Sequence, residues 1–282
     1  PFVWGPIGGL EITPWRLLLL LDFGGFLRLA MRNVWNICQR KFLLRPRKIL
    51  ALEKRALISA TNRNRETIQR IWGCNSDVLS EVGMETLTSP ATGGNHSDHL
   101  ILCWSGVHES RKNLNTLIRV LEKVSFPFEL HILGEGVLSK KWKKLAMKLK
   151  IDDSCVWHGK LGRKQALSVM SNCDIFCITS IHDLTSTVLL EALSLGLPTV
   201  NFDLCGFTDV VSDNCGVIVP VSTARNSINS YRKALEELYK NKDKLHLFSD
   251  NAYQRALDFQ WNDKVRKVNE IYRGLIEDKS NG

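Results

Sequence analysis

The chain has 282 residues, of which 44% are hydrophobic and 24% charged, and its formal net charge is +9. This length and apolar content suffice for one large or two smaller domains, and no tract is polar enough to indicate wholesale disorder. A basic chain suits nucleic acids, anionic membranes or anionic small ligands, but no nucleic-acid-binding motif accompanies the Lys and Arg residues, so we expect no nucleic-acid partner.

The eight cysteines form no CxxC pair and lack zinc-finger spacing, which favours a reduced cytoplasmic protein over a disulfide scaffold. The apolar run at residues 17–21 is far shorter than the roughly 20 residues that a membrane span needs. Because the chain begins Pro-Phe-Val-Trp, without an initiator Met, we interpret it as a fragment or a cleaved product of something longer.

The first third of the chain contains several predicted elements. Residues 1–9 indicate a short strand that ends in a glycine-rich turn, and residues 14–40 indicate an amphipathic helix that Gly24-Gly25 would break or bend. The segments that follow are an apolar helix or strand at 49–60, a helix at 63–72 and a strand or loop at 78–82. Residues 88–98, rich in Ser, Thr, Gly and Pro, are the best linker candidate.

After this segment, short apolar strands alternate with helices. The strands are predicted at 100–104, 128–133, 155–158, 174–178, 199–202 and 217–219. The helices between them are predicted at 114–121, 139–150, 164–171 and 187–195, and two long helices at 227–240 and 261–276 close the chain. This alternation is typical of a parallel, doubly wound sheet of Rossmann type, which binds ligands in the loops at the carboxyl ends of its strands.

The loop at 179–187 carries the most informative polar residues. Ser186 and Thr187 open an apolar helix, whose free first-turn amides form a ready anion site. Asp183 lies just outside this turn, and Glu191 lies inside the apolar helix, where a carboxylate is costly to bury without a partner such as sugar hydroxyls. The alternatives are that Asp183 is only a helix-entry residue and that Glu191 faces solvent. For His182, a ligand contact and an ordinary loop position are equally compatible with the sequence.

Two further loops support an anionic ligand. In the loop at 105–112, Gly106 permits a tight turn, and Arg111 and Lys112 arrive at a helix start, where cations oppose the dipole unless an anion binds. The Gly-Glu-Gly at 134–136 allows close backbone approach, but it does not complete the dinucleotide fingerprint because Ser139 stands at its last position. No set of His, Asp and Glu has clear metal spacing, so we expect no metal.

Together these loops resemble the retaining glycosyltransferases of family 4, which have the GT-B fold. The resemblance lies in GVHESRKN, LGEG, VWHGKLGR and DLTSTVLLEALSLGLP, continues through NFDLCGFTDVV and FQWNDKVRKVNEIYRGL, and covers about residues 100–276. It implies an α/β, GT-B-like chain with one complete doubly wound Rossmann-like domain and the remnant of a second. The implied units are a partial acceptor-side domain at 1–97, a nucleotide-sugar domain at 98–260 and a terminal helix at 261–282 that crosses back.

The resemblance also implies a function and a set of site residues. The reaction would move a sugar, with retention, from a UDP- or GDP-linked donor to a saccharide or lipid-linked acceptor, in cell-surface polysaccharide or glycolipid synthesis and without a cofactor. Asp183 and Glu191 would be the catalytic pair. The implied contacts are Gly106, Arg111, Lys112, Ser186 and Thr187 to the diphosphate; Lys160, Leu161 and Glu191 to the base and ribose; His182, Asp183 and Gly206 to the donor sugar; and Gly8 and Gly9 on the acceptor side.

This chain departs from the family at two positions. Val107 stands where the family usually places a diphosphate-binding Arg, and Asp183 is one methylene shorter than the usual Glu. Two other functions therefore stay open: a nucleotide-sugar-binding module without turnover, and a sugar-nucleotide epimerase of the same fold. Residues 14–44 would either pack within their domain or contact an anionic membrane at its inner face, with Arg28, Arg32, Arg40 and Lys41 near the headgroups.

Overall fold

The computed structural model describes residues 1–42, 48–85 and 99–277, which form two parallel sheets. The smaller sheet has the order β1-β2-β3. Its strands are β1 (Phe2–Ile7), β2 (Arg55–Ser59) and β3 (Asp77–Val78). The predicted strand at 1–9 is confirmed, and the segment at 49–60, left open between helix and strand, contains a strand.

Helices flank the strands of the smaller sheet in the described part of the chain. A 3-10 turn (Trp15–Leu20) precedes α1 (Phe23–Phe42), and α2 (Asn62–Trp72) follows β2. The predicted break at Gly24-Gly25 is wrong, because the chain bends at Leu21 and Asp22 and both glycines lie in the first turn of α1. Gly25 instead packs so closely against Ser110 that a side chain would not fit.

The larger sheet confirms the doubly wound domain. Its order is β6-β5-β4-β7-β8-β9, and all neighbouring strands are parallel. The strands are β4 (Leu100–Ser105), β5 (Phe128–Leu133), β6 (Cys155–Gly159), β7 (Ile175–Ile178), β8 (Thr199–Phe202) and β9 (Gly216–Val219). The strand order reverses between β4 and β7, so the loops after these two strands flank the crevice where such folds bind ligands.

Helices cover both faces of this sheet. They include α3 (Leu114–Leu121), α4 (Ser139–Lys148), α5 (Arg163–Met170), α6 (Thr187–Ser194), α7 (Phe207–Val210), α8 (Ala224–Lys240) and α9 (Lys242–Leu257). A further helix, α10 (Trp261–Glu277), contacts β2 of the smaller sheet instead. Every residue of β7 and β8 is buried, as expected for central strands between two helical layers. Among the described residues, no helix combines the length and apolar character that crossing a bilayer requires.

The hydrophobic interior has two parts. The large cluster fills both faces of the six-stranded sheet and includes Trp104, Phe176 and Tyr231, whereas Ile7, Leu57 and Ile68 form a separate small cluster beside the other sheet. Residues 86–98 lie outside the described part of the chain. They include both the predicted domain boundary at 97/98 and the predicted linker at 88–98, so the domain division stays a prediction.

The terminal helix α10 contacts the segment that follows the small sheet. The Met84 amide donates to the Phe259 carbonyl (3.0 Å), the Trp261 amide donates to the Met84 carbonyl (3.2 Å), and Lys264 Nζ donates to the carbonyls of Ser80 (2.7 Å) and Val82. Lys264 is buried, which lowers its pKa to about 8. The helix at the end of the chain thus anchors residues 80–84.

Candidate active site

A cleft lies between the loops at the carboxyl ends of β4 and β7 and the segment that follows β1. A cavity of about 180 Å³ in this cleft is lined by Gly9, Glu11, Arg32, Arg111, His182, Asp183 and Leu184. Gly8, predicted on the acceptor side with Gly9, packs directly against the Leu184 side chain. The structure therefore brings the predicted acceptor-side loop and the predicted donor-sugar loop to one cavity.

The strongest charge cluster of the site joins the two predicted donor loops. Lys112 Nζ lies 2.5 Å from Asp183 Oδ2, and Arg111 Nη1 lies 3.3 Å from Asp183 Oδ1. Arg111 Nε also contacts Glu109 Oε1 at 2.7 Å. The side chains of Lys112 and Asp183 are only 13% and 15% exposed, so this pair is shielded from bulk water. An anion entering here would meet two cations already held in place.

Arg111 and Lys112 lie directly before a helix start. Arg111 and Lys112 end a 3-10 turn (Ser110–Lys112), and Asn113, with φ 56°, separates them from the first turn of α3. Both cations therefore directly precede the first turn of α3, at the positive end of its dipole, where an anion would be stabilised. Gly106 begins this loop, and its Cα lies beside the Lys112 side chain.

The loop containing Asp183 is held by the loop after β8. The Asp183 amide donates to Cys205 Sγ (3.2 Å), and the Gly206 amide donates to the Leu184 carbonyl (2.8 Å). A Cβ on Gly206 would lie 2.6 Å from Thr185 Cγ2, so only glycine fits. Gly206 thus stabilises the position of the Asp183 loop through Leu184 and Thr185, and its contact with the donor sugar stays a prediction.

The N-terminus of α6 opens beside this cluster. Ser186 is the N-cap, but its side chain makes no capping hydrogen bond, and Thr187 is exposed at the first helical position. The first-turn amides of α6 are therefore not occupied by that side chain, as the predicted anion site requires.

Segment 80–82 contacts the same loop from the side of the small sheet. Glu81 Oε1 accepts a hydrogen bond from the Thr185 amide (3.0 Å), and Ser80 Oγ lies 3.2 Å from Thr185 Oγ1. Because Lys264 binds the carbonyls of Ser80 and Val82, the terminal helix, this segment and the donor loop form one connected network. The sequence reasoning missed Glu81, which no motif distinguishes.

Glu191 has a protein partner that the sequence did not reveal. Its Oε1 accepts a hydrogen bond from Arg163 Nε at 2.7 Å, and the side chains of Arg163 and Glu191 are 61% and 17% exposed. Without a ligand, Arg163 thus supplies the partner that this largely buried carboxylate needs, and the predicted contact of Glu191 with the ribose stays a prediction. The exposed Lys160 and the half-buried Leu161, predicted to meet the base, lie just before Arg163 in the same loop.

The loops at 105–112 and 134–139 are joined through His108. Its amide donates to the Glu135 carbonyl (3.1 Å), its carbonyl accepts from the Leu138 amide (3.0 Å), and its Nδ1 lies 2.8 Å from Ser139 Oγ. Burial, followed by the charge of Lys143, lowers the pKa of His108 to about 4. His108 was not predicted, and its only signal is its place between Gly106 and Lys112.

His182 connects the donor loop to the N-terminal part of the chain. Its Nδ1 lies 3.1 Å from Thr13 Oγ1, and both side chains are buried. Burial first, then the charges of Arg32 and Arg111, lowers its pKa to about 4, although Asp183 acts in the opposite direction. A neutral imidazole therefore lines the cavity at neutral pH.

The lowered pKa values of His108 and His182 predict how the free energy of unfolding depends on pH. Unfolded histidine titrates near pH 6.5, so between pH 6.5 and pH 4 the unfolded chain binds more protons than the folded chain. The two histidines therefore make their full contribution to the free energy of unfolding above pH 6.5, and this contribution is lost as the pH falls through that range. We expect the free energy of unfolding to fall by about 2 kcal/mol per buried histidine between pH 6.5 and pH 5. Urea unfolding of the His182→Gln variant should show a shallower pH slope, and the exposed His246→Gln should not; equal slopes would contradict the assignment.

Glu11 is a second carboxylate at the cavity that the sequence did not single out. Thr61 Oγ1 and Asn64 Nδ2 donate to its Oε1 at 2.8 and 3.1 Å, and burial raises its pKa.

Val107 is 56% exposed and supplies no charge to the site. Among residues 1–42, 48–85 and 99–277, no group of three or more His, Cys, Asp or Glu residues could hold a metal ion.

The sequence matches one family and several curated proteins. The model of the family described as Glycosyl transferases group 1 matches residues 88–255. The lipopolysaccharide glucosyltransferase WaaG of Escherichia coli is 26% identical over 128 residues, which are 45% of this chain and 33% of WaaG. A Campylobacter jejuni enzyme, N-acetylgalactosamine-N,N'-diacetylbacillosaminyl-diphospho-undecaprenol 4-alpha-N-acetylgalactosaminyltransferase, is 27% identical over 205 residues, covering 72% of this chain and 52% of the enzyme. The chain thus spans a third to a half of these relatives.

Solved structures resemble the chain in fold. The apo form of the lipopolysaccharide outer core galactosyltransferase WaaB superposes with a TM-score of 0.68 at 17% identity, over 78% of this chain and 62% of WaaB. Anabaena Alr3699/HepE, in complex with UDP and glucose, superposes with a TM-score of 0.63 at 15% identity, over 78% of this chain and 63% of that chain. At these identities the superpositions establish the arrangement of sheets and helices.

Proposed function

Because the chain belongs to the glycosyl transferases group 1 family and has the GT-B fold, we propose that it transfers a sugar from a nucleotide-diphosphate sugar to an acceptor with retention of configuration. The observation that carries the proposal is the cluster of Lys112, Arg111 and Asp183 at the topological switch point, beside the N-terminus of α6. It combines an anion site with a carboxylate that can accept hydrogen bonds from a sugar.

The donor in this proposal is UDP-linked, with a GDP-linked sugar as the second choice. Alr3699/HepE carries UDP and glucose in its solved structure, and the pneumococcal O-GlcNAc transferase GtfA, matched at a TM-score of 0.64, carries UDP and GlcNAc. We assign the base to the backbone at Lys160 and Leu161 and the ribose hydroxyls to Glu191, which would exchange its contact with the exposed Arg163 for them.

The proposed chemistry depends on redistributing one ion pair. When the diphosphate enters, Lys112 and Arg111 bind the phosphate oxygens and so bind Asp183 less tightly. The backbone amides at the N-terminus of α6 add to the positive potential around the phosphates. These groups stabilise the negative charge that develops on the leaving diphosphate, the kind of preorganised electrostatic contribution that commonly dominates catalysis. Asp183, freed in part from Lys112, accepts hydrogen bonds from the donor sugar, and no metal is assigned a role.

The acceptor side of the proposal follows from the cleft. Gly8 and Gly9 bring the segment after β1 against Leu184 at the cavity that Asp183 lines. WaaG acts in lipopolysaccharide synthesis by its name, and the Campylobacter jejuni relative is named for a diphospho-undecaprenol-linked substrate. We propose a saccharide or lipid-linked acceptor and a role in cell-surface polysaccharide or glycolipid synthesis at the cytoplasmic face of the membrane.

A panel of nucleotide sugars tests the proposal. UDP-linked sugars, present at about 100 times their dissociation constant, should raise the free energy of unfolding by about 2.7 kcal/mol, measured by denaturation with and without ligand. Product analysis should then show glycosyl transfer to an added saccharide acceptor. Stabilisation without any transfer or hydrolysis would favour the binding module, an epimerised donor formed without acceptor would favour the epimerase, and stabilisation by neither UDP nor GDP sugars would reject the donor site.

We also propose peripheral membrane contact through α1. Its outer face exposes Phe23, Leu27, Met31 and Val34 at helical spacing beside the exposed Arg28, a pattern typical of helices that lie on anionic lipid. The protein should float with vesicles of phosphatidylglycerol but not with vesicles of phosphatidylcholine, and Met31→Glu should reduce flotation. Equal recovery with both vesicle types would reject the contact.

A further inference from the structure

A second groove adjoins the active-site cavity on the side of the small sheet. It has a volume of about 670 Å³ and is bordered by β1, α1 and α2, with Trp4, Trp35 and Trp72 among its lining residues. Gly9 and Arg32 line both this groove and the cavity at Asp183. A molecule in the groove would therefore extend to the point where the proposed donor sugar lies.

The aromatic residues of the groove suit sugar rings. Trp4 and Trp72 stack with their ring centroids 5.4 Å apart and their planes inclined by 22°, and Trp35 is 64% exposed. Flat indole faces of this kind pack against the apolar C–H faces of a ring, while an indole edge or a nearby amide satisfies polar groups. Gln39 supplies such an amide at the groove wall.

The charged residues that line the groove are both arginines, and the nearest acidic lining residue, Glu11, belongs to the adjoining cavity. Arg32 and Arg40 line the groove, no acidic residue does, and neither arginine forms an ion pair with any residue in the described part of the chain.

Arg40 is the more informative of the two arginines. Its Nε is buried without a hydrogen-bond partner among the described residues. Burial, followed by the charge of Arg70, lowers its pKa, although the charge of Glu11 acts in the opposite direction. A buried donor without a partner is rare because it carries the full cost of desolvation, and a charged donor costs more. An anionic group of a ligand would relieve this cost through charge-assisted hydrogen bonds.

We propose that this groove binds an anionic saccharide, a chain of sugar rings that carries a carboxylate or a phosphate, as the acceptor. The rings lie along Trp35 and the stacked Trp4 and Trp72, the anionic group binds Arg40, and the acceptor hydroxyl reaches the cavity past Gly9 and Arg32. The assignment of the occupant as acceptor rests on the proposed transferase function, whereas the recognition of an anionic saccharide rests on the groove alone.

Titration of tryptophan fluorescence tests the groove directly. The probes are trigalacturonate, its neutral trimethyl ester, and mannose 6-phosphate beside mannose, all without donor. We expect trigalacturonate to bind at least tenfold more tightly than the ester, and the phosphate pair reveals whether phosphate serves as well as carboxylate. Arg40→Gln should remove this preference, Trp35→Ala should weaken both trimers, and Arg28→Gln, an exposed arginine of the same helix outside the groove, should change neither.

The outcomes separate the groove from the donor site. Equal binding of trigalacturonate and its ester, or an Arg28→Gln variant as impaired as Arg40→Gln, would overturn the inference in favour of a neutral ligand or diffuse charge attraction. Stabilisation of the Arg40→Gln variant by UDP shows that it is folded. If UDP sugars bind but trigalacturonate and mannose 6-phosphate do not, the groove inference is wrong and the transferase proposal stands. If the anionic sugars bind but UDP sugars do not, the donor site is rejected and the groove inference stands.

Discussion

Replacing Lys112 with alanine is expected to lower the rate of sugar transfer by about 10² to 10³-fold, the usual effect of removing one preorganised charge from a shielded site. The ammonium group lies in the crevice and is only 13% exposed, so bulk water does not replace it effectively. Arg111 cannot compensate fully, because it also binds Glu109 and approaches the opposite oxygen of Asp183. Transfer kinetics at saturating donor measure the effect, with the exposed Lys123→Ala as the control that should change nothing.

A double variant separates two explanations of that loss. Lys112→Ala also removes a partner of Asp183, a half-buried carboxylate whose unpaired charge could itself disturb the site. Adding Asp183→Asn removes this charge. Because Asp183 is itself assigned to the donor sugar, the readout for this pair of variants is the binding of UDP, which lacks that sugar. If Lys112 acts on the diphosphate, the single and double variants bind UDP equally weakly. Recovery of wild-type UDP binding in the double variant would show that Lys112 matters only through Asp183.

Replacing Glu191 with alanine is expected to weaken UDP binding by about 10²-fold, since two hydrogen bonds from ribose hydroxyls to a carboxylate contribute on the order of 3 kcal/mol. At a UDP concentration that stabilises the wild-type protein by about 2.7 kcal/mol, the variant should gain only about 0.4 kcal/mol. The fold should persist, because the contact that Glu191 makes with the largely exposed Arg163 contributes about 1 kcal/mol at most.

Arg163→Ala is the matched control for this prediction. It removes the same ion pair from the other side and leaves the carboxylate free, so UDP binding should be unchanged or slightly tighter. Denaturation with and without UDP measures both variants. If Arg163→Ala weakens UDP binding as much as Glu191→Ala does, or if Glu191→Ala keeps the full stabilisation, Glu191 serves the structure and not the ribose.

Most of the six-stranded sheet and its helices could be predicted from the sequence, because local residue patterns determine these elements. Central strands such as Ile175–Ile178 are continuous apolar runs, and the spacing of Leu114, Leu117 and Leu121 marks a helix face. The helix Lys242–Leu257 was missed because the residues it buries are Phe248, Ala252 and Ala256. Two alanines give too weak an apolar signal to stand out from the polar residues around them.

The sequence predicted only those site residues that stand together within a single loop. Lys112, Asp183 and Ser186 stand in loops that follow predicted strands, and the rule for doubly wound sheets places such loops together. The partner of Glu191 lies 28 residues earlier, and that of His182 lies 169 residues earlier at Thr13. Neither pairing leaves a trace in the local sequence, since each depends on how separate elements pack. For the same reason the groove of tryptophans and arginines became visible only in three dimensions.

The anchoring of segment 80–82 by Lys264 has a consequence for the order of assembly during synthesis. Domains generally fold as units as the chain emerges from the ribosome, from the N-terminus onward. The six-stranded sheet is complete at Val219, whereas the Lys264 side chain that holds the carbonyls of Ser80 and Val82 emerges later, with α10. The wall of the cleft that contacts Thr185 through Glu81 therefore gains its support from Lys264 late, so a nascent chain completes the six-stranded sheet before it completes the cleft.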